Sequence, residues 1–295
     1  MKCKICFSDN TKVIYKGKIR NGGLGQYTEN DIEMHQCTDC GVIWHEDVIS
    51  DIKKYYESEE YRVSLENSSE ESNFYKLHDK ETFEKFRYTG TAIWRDKVVA
   101  DIGCGCGAFL DFLKGVSKKI IAIEPSEKYR SIMQKKGFET FAYSEDAKKI
   151  YENAIDVITS FDVIEHVSDP ENFLNGVFSL LKQGGQAYIG TPTDAPIMRE
   201  LLGSIYEKKI LYSTQHLWIF SKENLMIMAK KCGFGQVDIK FYQRYSIENM
   251  LGWLKEKEAN SNMKYNSVLY SLNGVWKSQC EMREMSDYIV LELKK

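Results

Sequence analysis

An α/β fold with a mostly parallel sheet is what this 295-residue chain predicts, on three observations. From Lys97 onward, short apolar runs alternate with stretches of helical periodicity. The first run, 97–101, leads into a glycine-rich turn, Gly103 to Gly107, and a helix. Two CxxC pairs near the N-terminus stand outside this pattern and mark a small module of their own. Strands spaced by helices imply βαβ units, whose crossovers make neighbouring strands parallel.

The cysteines come first. Cys3 and Cys6 form one pair and Cys37 and Cys40 the other, with the polar, glycine-bearing residues 7–36 between them. Each pair supplies two thiolates from one tight turn, and two such turns complete a tetrahedral zinc site. Four protein ligands leave no open position, so the metal is expected to be structural. Such an ion contributes on the order of 10 kcal/mol to ordering a module too small for its own core. His35 and His45 read as surface residues rather than ligands. A redox role lacks the thioredoxin-like setting. The start, MKCKICFSDN, has no apolar signal core, so a cytoplasmic protein with reduced cysteines is expected.

The module is expected to span 1–50. Residues 51–90 read as a linker and helical lead-in. Within it, the glutamate- and serine-rich stretch 57–73 reads as an exposed linker or solvated helix. Residues 74–88 place Leu77, Phe83 and Phe86 near one helical face.

The alternation then begins. Strands are expected at 97–101, 119–124, 154–161 and 186–191. Helices follow the glycine turn, follow Ser126 as N-cap with Gly137 as stop, and follow Asp169-Pro170 as N-cap and first helical position. Ser221 caps a later helix that Gly233 ends. Two last strands are expected at 236–242 and 287–293. The stretches 192–220 and 243–286 fit no regular βα unit and read as lids or binding loops.

In 243–286, Ser246 caps a helix carrying Ile247, Met250, Leu251 and Leu254 on one face. Arg244, Tyr245 and Asn249 are then left for a polar ligand, and an arginine pairs bidentately with phosphate. Trp253 and Trp276 either stack on a sugar or pack the lid. Cys104, Cys106, Cys232 and Cys280 read as packing residues.

The glycine loop carries the chemistry. Glycines let backbone approach a ligand, and a helix start offers free N–H groups. Gly103, Gly105 and Ala108 also fit the dinucleotide pattern GxGxxA, so an NAD-linked enzyme is the competing reading. Charge separates the two. Asp101 lies two residues before the first glycine, where a carboxylate repels a pyrophosphate and suits a cation such as the ammonium of S-adenosylmethionine. Glu124 ends the next strand, where an acid suits a ribose diol in either cofactor.

These residues resemble the class I methyltransferases. DIGCGCGAFL is similar to their first motif and IEPS to their second-strand acid, while FDVIEHVSDPENFL and LKQGGQAYIGTP are similar to their fourth and fifth strands. The resemblance covers roughly residues 75–242. It implies a Rossmann-like, mostly parallel seven-stranded sheet with helices on both faces over 91–295, beside the zinc-ribbon-like module. It makes 236–242 and 287–293 a closing antiparallel pair and 243–286 a lid insertion. It implies S-adenosylmethionine as methyl donor, with Asp101, Gly103 and Gly105 at the methionine end, Glu124 on the ribose, and Phe161 and Asp162 bordering the cofactor.

The module followed by IWHEDVISDIKKYYESEEYR resembles the sugar C-methyltransferases that act on nucleotide-linked deoxysugars, and methyltransferases of polysaccharide clusters. The former carry a further C-terminal domain, for which this chain is expected to be too short.

Methyl transfer requires an aligned acceptor and, for O–H, N–H or C–H acceptors, a base. Glu165 and His166 follow the fourth strand, close to the expected methyl position. His166 is the expected base and Glu165 its orienter, in keeping with a Glu-His pair proposed as catalytic in the sugar C-methyltransferases. Those enzymes have a Tyr where this chain has Val163. His216, in QHLWIFSKENL, is an expected acceptor-side residue.

The expected function is therefore methyl transfer to a small molecule, a sugar or nucleotide-sugar of surface-glycan synthesis. RNA methylation and a non-catalytic zinc adaptor are the alternatives. Forty basic against 43 acidic residues argue against a nucleic-acid partner, and no apolar run reaches the ~20 residues of a membrane span.

Overall fold

The computed structural model describes residues 2–46, 49–257 and 267–295. In chain order the elements begin with strands β1 (Thr11–Gly17), β2 (Ile32–Cys37) and β3 (Ile43–Trp44). Four short helices follow, α1 (Ile52–Glu57), α2 (Glu60–Glu66), α3 (Glu71–His78) and α4 (Glu81–Thr89). The alternating region runs β4 (Val98–Ile102), α5 (Ala108–Leu113), β5 (Lys119–Ile123), α6 (Glu127–Lys135), β6 (Glu139–Phe141), α7 (Ser144–Tyr151), β7 (Ile155–Phe161), α8 (Pro170–Leu180) and β8 (Leu181–Pro192). Then come α9 (Pro196–Leu202), α10 (Ser204–Tyr206), a π-helical turn (Glu207–Leu211), β9 (Trp218–Ile219), α11 (Lys222–Lys231), β10 (Gln236–Tyr242), α12 (Ile247–Glu256), α13 (Ser267–Met282) and β11 (Tyr288–Lys294).

The helix starts follow local chemistry. Ser126 accepts from the Tyr129 amide to cap α6. Asp169 accepts from Asn172 to cap α8, with Pro170 at its first position. Each satisfies a donor that has no partner inside its helix.

Seven strands form one sheet in the order β10-β11-β8-β7-β4-β5-β6. The pairs β4/β5, β4/β7, β5/β6 and β7/β8 are parallel. Gly184 donates to Lys295 at one end of β8 and Thr193 donates to Asp287 at the other, so β11 runs antiparallel to β8. The central strands are mostly apolar and buried, as expected of strands covered on both faces: Val99, Ala100, Ile121, Ala122 and Ile158 are all wholly buried, with Asp101, Thr159 and Ser160 as buried polar residues among them. The seven-stranded, mostly parallel, helix-flanked sheet expected from the sequence is present. Its one strand without a distinct sequence signal is β6, three half-buried residues long.

The chain divides into two compact units. One comprises residues 49–190, 226–238 and 291–295, and holds the parallel core with α1 to α8. The stretch 57–73 is more than a linker here. It forms α2 and the start of α3, and His78 ties three helices together by bonding Glu66 at 2.9 Å and Glu81 at 2.8 Å.

The other unit comprises residues 1–48, 191–225 and 239–290. It carries a four-stranded sheet in the order β1-β2-β3-β9. Residues 7–36, polar in sequence, supply two of its strands, β1 and β2, which pair antiparallel. Strand β3 pairs with β9 through Ile43–Ile219 and Trp44–Trp218. The module boundary expected at residue 50 therefore does not mark a self-contained domain, because residues 1–48 share strands and core with 191–225. That core includes Ile19, Met34, Ile43, Tyr212, Ile219, Met250 and Trp253. The expected lid at 243–286 contains α12 and α13, and its residues 258–266 lie outside the described residues.

Candidate functional site

A cavity of about 370 Å³ opens beyond the C-terminal ends of β4, β5 and β7, where open α/β sheets bind ligands. Ile102, Gly103, Ile123 and Glu124 line its inner side, Ala142 to Glu145 one flank, and Asp162, Val163 and His166 the other. Tyr56, Ser58, Tyr61 and Arg62 also line it. They come from the stretch that reads in sequence as a solvated lead-in. The Tyr55-Tyr56 and Tyr61-Arg62 pairs, within the stretch KKYYESEEYR that carries the resemblance, were its visible signal.

Glu124 is one of the acids in the wall of this cavity, with Glu145, Asp162 and Asp169. Its carboxylate accepts from the amides of Gly105 at 2.9 Å and Ser126 at 3.0 Å. Burial pushes its carboxyl above the usual range, against the pull of those amides and of the Arg62 and Arg130 charges. Arg62 stacks on Tyr61, Phe74 and Tyr129, with ring distances of 5.0, 5.1 and 5.8 Å.

Asp101, expected at the methionine end of the donor, is a buried carboxylate on β4. It is 2% exposed and does not appear in the cavity wall. Its carboxylate accepts from the Thr159 hydroxyl at 2.6 Å, so it faces β7. Burial raises its pKa, opposed by the Lys85 charge and by Thr159. Lys85 places its amine over the rings of Phe109 and Phe161, 5.5 Å from each. Phe161 is buried against Tyr88, and its neighbour Asp162 is the one that reaches the cavity.

The loop glycines have a steric reason that sequence alone does not show. Gly103 and Gly105 adopt φ of +77° and +56°. A Cβ on Gly103 would lie 2.2 Å from the Val163 side chain, and one on Gly105 would lie 2.4 Å from the Phe74 ring.

His166 is enclosed. The Tyr56 hydroxyl lies 2.9 Å from its Nδ1, and the Tyr56 and Tyr61 rings stand edge-on to it at 5.8 and 5.9 Å. Its Nε2 is 3.8 Å from the carboxylate of Glu165, which is 1% exposed. Burial holds the Tyr56 phenol well above its ordinary pKa, helped by Tyr61, Tyr55 and Glu165. Burial likewise pushes Tyr61 up to about 12, despite Arg62. Both phenols are therefore neutral at physiological pH.

The remaining expected ligand residues lie in the other unit. Arg244 stacks on Tyr288 at 4.2 Å, with its Nε 3.5 Å from buried Asp287. Its charge already has a counter-charge, which weakens the case for a phosphate there. Asn249 is committed to capping α12: its amide oxygen accepts from the Ser246 amide and hydroxyl. Tyr245 packs on Trp253 at 4.8 Å, and Trp276 donates to the Tyr245 carbonyl at 3.1 Å, so both tryptophans pack around Tyr245. His216 is half-buried in the segment before β9.

The four sulfurs of Cys3, Cys6, Cys37 and Cys40 lie within 4.8 Å of one another. Cys3–Cys40 and Cys6–Cys37 are 3.7 and 3.5 Å apart. Tetrahedral Zn–S bonds of ~2.3 Å set sulfurs ~3.8 Å apart, so the donor set fits zinc. His45 is buried rather than at the surface, with Nε2 3.1 Å from the Ser213 carbonyl.

Residues 77–238 match a family described as a methyltransferase domain. The chain is 28% identical over 208 residues to the ubiquinone biosynthesis O-methyltransferase of Cupriavidus pinatubonensis, covering 67% of this chain and 84% of that protein. It is 28% identical over 174 residues to the enzyme of that name from Thiobacillus denitrificans, covering 55% and 75%. A SAM-dependent methyltransferase structure from Thermotoga maritima superposes with a TM-score of 0.50 at 21% identity, over 76% of this chain and 93% of that one. A Haloferax volcanii methyltransferase complex superposes at 0.52 with 11% identity, over 84% and 98%. At these identities the two structures speak to the fold alone.

Proposed function

Since the chain belongs to the methyltransferase domain family and is a SAM-dependent methyltransferase, we propose that it methylates a hydroxyl of a small molecule with the pair Tyr56–His166 as its base. The observation that carries this reading is the Tyr56 hydroxyl 2.9 Å from His166 Nδ1 in the wall of the cavity. The cavity volume is of the size that small-molecule sites have. Glu124 suits the donor's ribose hydroxyls, and Gly103 and Asp162 flank it. Asp101, Gly105 and Phe161 lie outside the cavity lining; Asp101 bonds Thr159, Phe161 packs on Tyr88, and Gly105 donates its amide to Glu124.

When bound, the donor supplies an activated methyl group on a sulfonium. The protein's part is alignment and proton removal. The acceptor hydroxyl gives its proton to the Tyr56 oxygen as the Tyr56 proton passes to His166 Nδ1. The imidazolium so formed faces the buried Glu165 carboxylate through Nε2, which stabilises it. One proton leaves the acceptor oxygen and one methyl group arrives there.

The relatives carry O-methyltransferase names from ubiquinone biosynthesis, which supports a hydroxylated acceptor and lends nothing to the sugar expected from the sequence resemblance. A sugar hydroxyl belongs to the same chemical class and is an arm of the test. The four-cysteine site is proposed to hold one structural zinc ion. Donor labelled in its methyl group is offered with hydroxylated quinone precursors, nucleotide sugars and bulk RNA. Label in an ether of either small-molecule class supports the reading; label in RNA, or in none of the three, overturns it.

A further inference from the structure

The N-terminal module bonds one other stretch of its own unit at both ends and at β9. Arg20 donates its amide to the Tyr212 carbonyl at 3.1 Å and accepts from the Thr214 amide at 2.9 Å. The Thr214 hydroxyl donates to the Asn21 side chain at 2.9 Å. His45 reaches the Ser213 carbonyl. Trp44 and Ile43 pair with Trp218 and Ile219. At the far end, the Asn224 amide and Ser221 hydroxyl both bond the carbonyl of Cys40, at 3.2 and 3.4 Å. Cys40 is itself one of the four clustered thiols.

We infer that the four-cysteine module is the holder of the segment 212–221, so that metal bound at Cys3, Cys6, Cys37 and Cys40 positions the residues around His216. The physical case is one of local order. Segment 212–221 has only the two-residue strand β9, and β9 pairs with β3. Its polar residues Ser213, Thr214 and Gln215 are buried, and buried polar groups require partners. The module supplies several of those partners from Arg20, Asn21 and His45. Strand β3 begins three residues after Cys40. A metal that fixes Cys37 and Cys40 therefore fixes the start of β3 and, through it, β9. The Cys40 carbonyl does the same for the start of α11. Loss of the metal releases both ends of the segment together.

The catalytic consequence rests on the reading of His216 as an acceptor-side residue, whereas the holding itself does not. The test is amide exchange on the full chain, zinc-loaded and after chelation, with the affinity for S-adenosylhomocysteine measured in parallel. Exchange across 212–221 is expected to accelerate about tenfold or more without zinc, while nucleoside affinity stays within about twofold, because the donor cavity is lined wholly by the other unit. Retained protection of 212–221 in zinc-free protein overturns the inference. Should cysteine loss unfold the chain, His45→Ala and Thr214→Val leave the thiols in place. Faster exchange confined to 212–216 at unchanged zinc content supports the holding, and unchanged exchange overturns it. Unaltered methyl transfer by His216→Ala would remove the acceptor reading and leave the holding intact.

Discussion

Two side chains divide the work of the cavity, and each can be tested alone. Glu124 meets two backbone amides and lines the cavity. Charged hydrogen bonds contribute about 1.5–3 kcal/mol each, so Glu124→Ala is expected to weaken S-adenosylhomocysteine binding by roughly ten- to a hundredfold. Calorimetry reads this directly, and wild-type affinity would contradict the placement. Tyr56→Phe keeps the ring packing on Tyr61 and removes only the hydroxyl at His166. Turnover is expected to fall by about ten- to a hundredfold, the scale of acid–base assistance, with donor affinity kept and the pH–rate profile changed. A fall in donor affinity equal to the fall in turnover would make Tyr56 a packing residue.

At the scale of elements, the lead-in helices are held by charge. Burial alone would lower the His78 pKa, but its hydrogen bonds to Glu66 and Glu81 outweigh this and hold it above 6.5. The two glutamates are correspondingly lowered, against the burial that would raise them. A raised histidine stabilises below its unfolded pKa, and that stability fades as pH rises through the folded value. The lowered glutamates act in reverse: their contribution is present above their unfolded pKa and fades in acid. Residues 60–89 are therefore expected to lose exchange protection both as pH rises through the raised His78 value and as it falls through the lowered glutamate values. His78→Gln is expected to cost about 1–3 kcal/mol of local stability and to abolish the loss on the high-pH side. An identical high-pH profile in that variant would show that His78 is not its source.

The same element scale shows what periodicity can and cannot reveal. The helices after Ser126, Asp169 and Ser246 were legible because capping is local chemistry. The role of 57–73 was not. Its glutamates and serines read as a solvated run, yet Ser58, Tyr61 and Arg62 face the cavity, and composition carries no record of which face of a short helix is covered. Strand β6 escaped for a related reason: three half-buried residues have no distinguishable period.

For the whole molecule, a ligand that binds one folded unit stabilises that unit by mass action. S-adenosylhomocysteine at a hundredfold its Kd is expected to add about 2.7 kcal/mol to the unit comprising 49–190, 226–238 and 291–295. Zinc chelation is expected to weaken the other. Exchange or proteolysis read peptide by peptide separates the two, and equal protection of both units by the nucleoside would contradict the assignment.

Sequence by itself determined the alternating α/β order, the glycine loop with its two acids, the Glu165–His166 pair and the two CxxC turns, because each depends on neighbours along the chain. Tertiary structure decided that Glu124 stays at the cavity wall while Asp101 turns to Thr159 on the neighbouring strand β7. It also decided that Tyr56 meets His166 from a hundred and ten positions away, and that residues 1–48 fold with 191–225 rather than alone. Such choices come from side-chain packing between segments distant in sequence, and no local spacing encodes them.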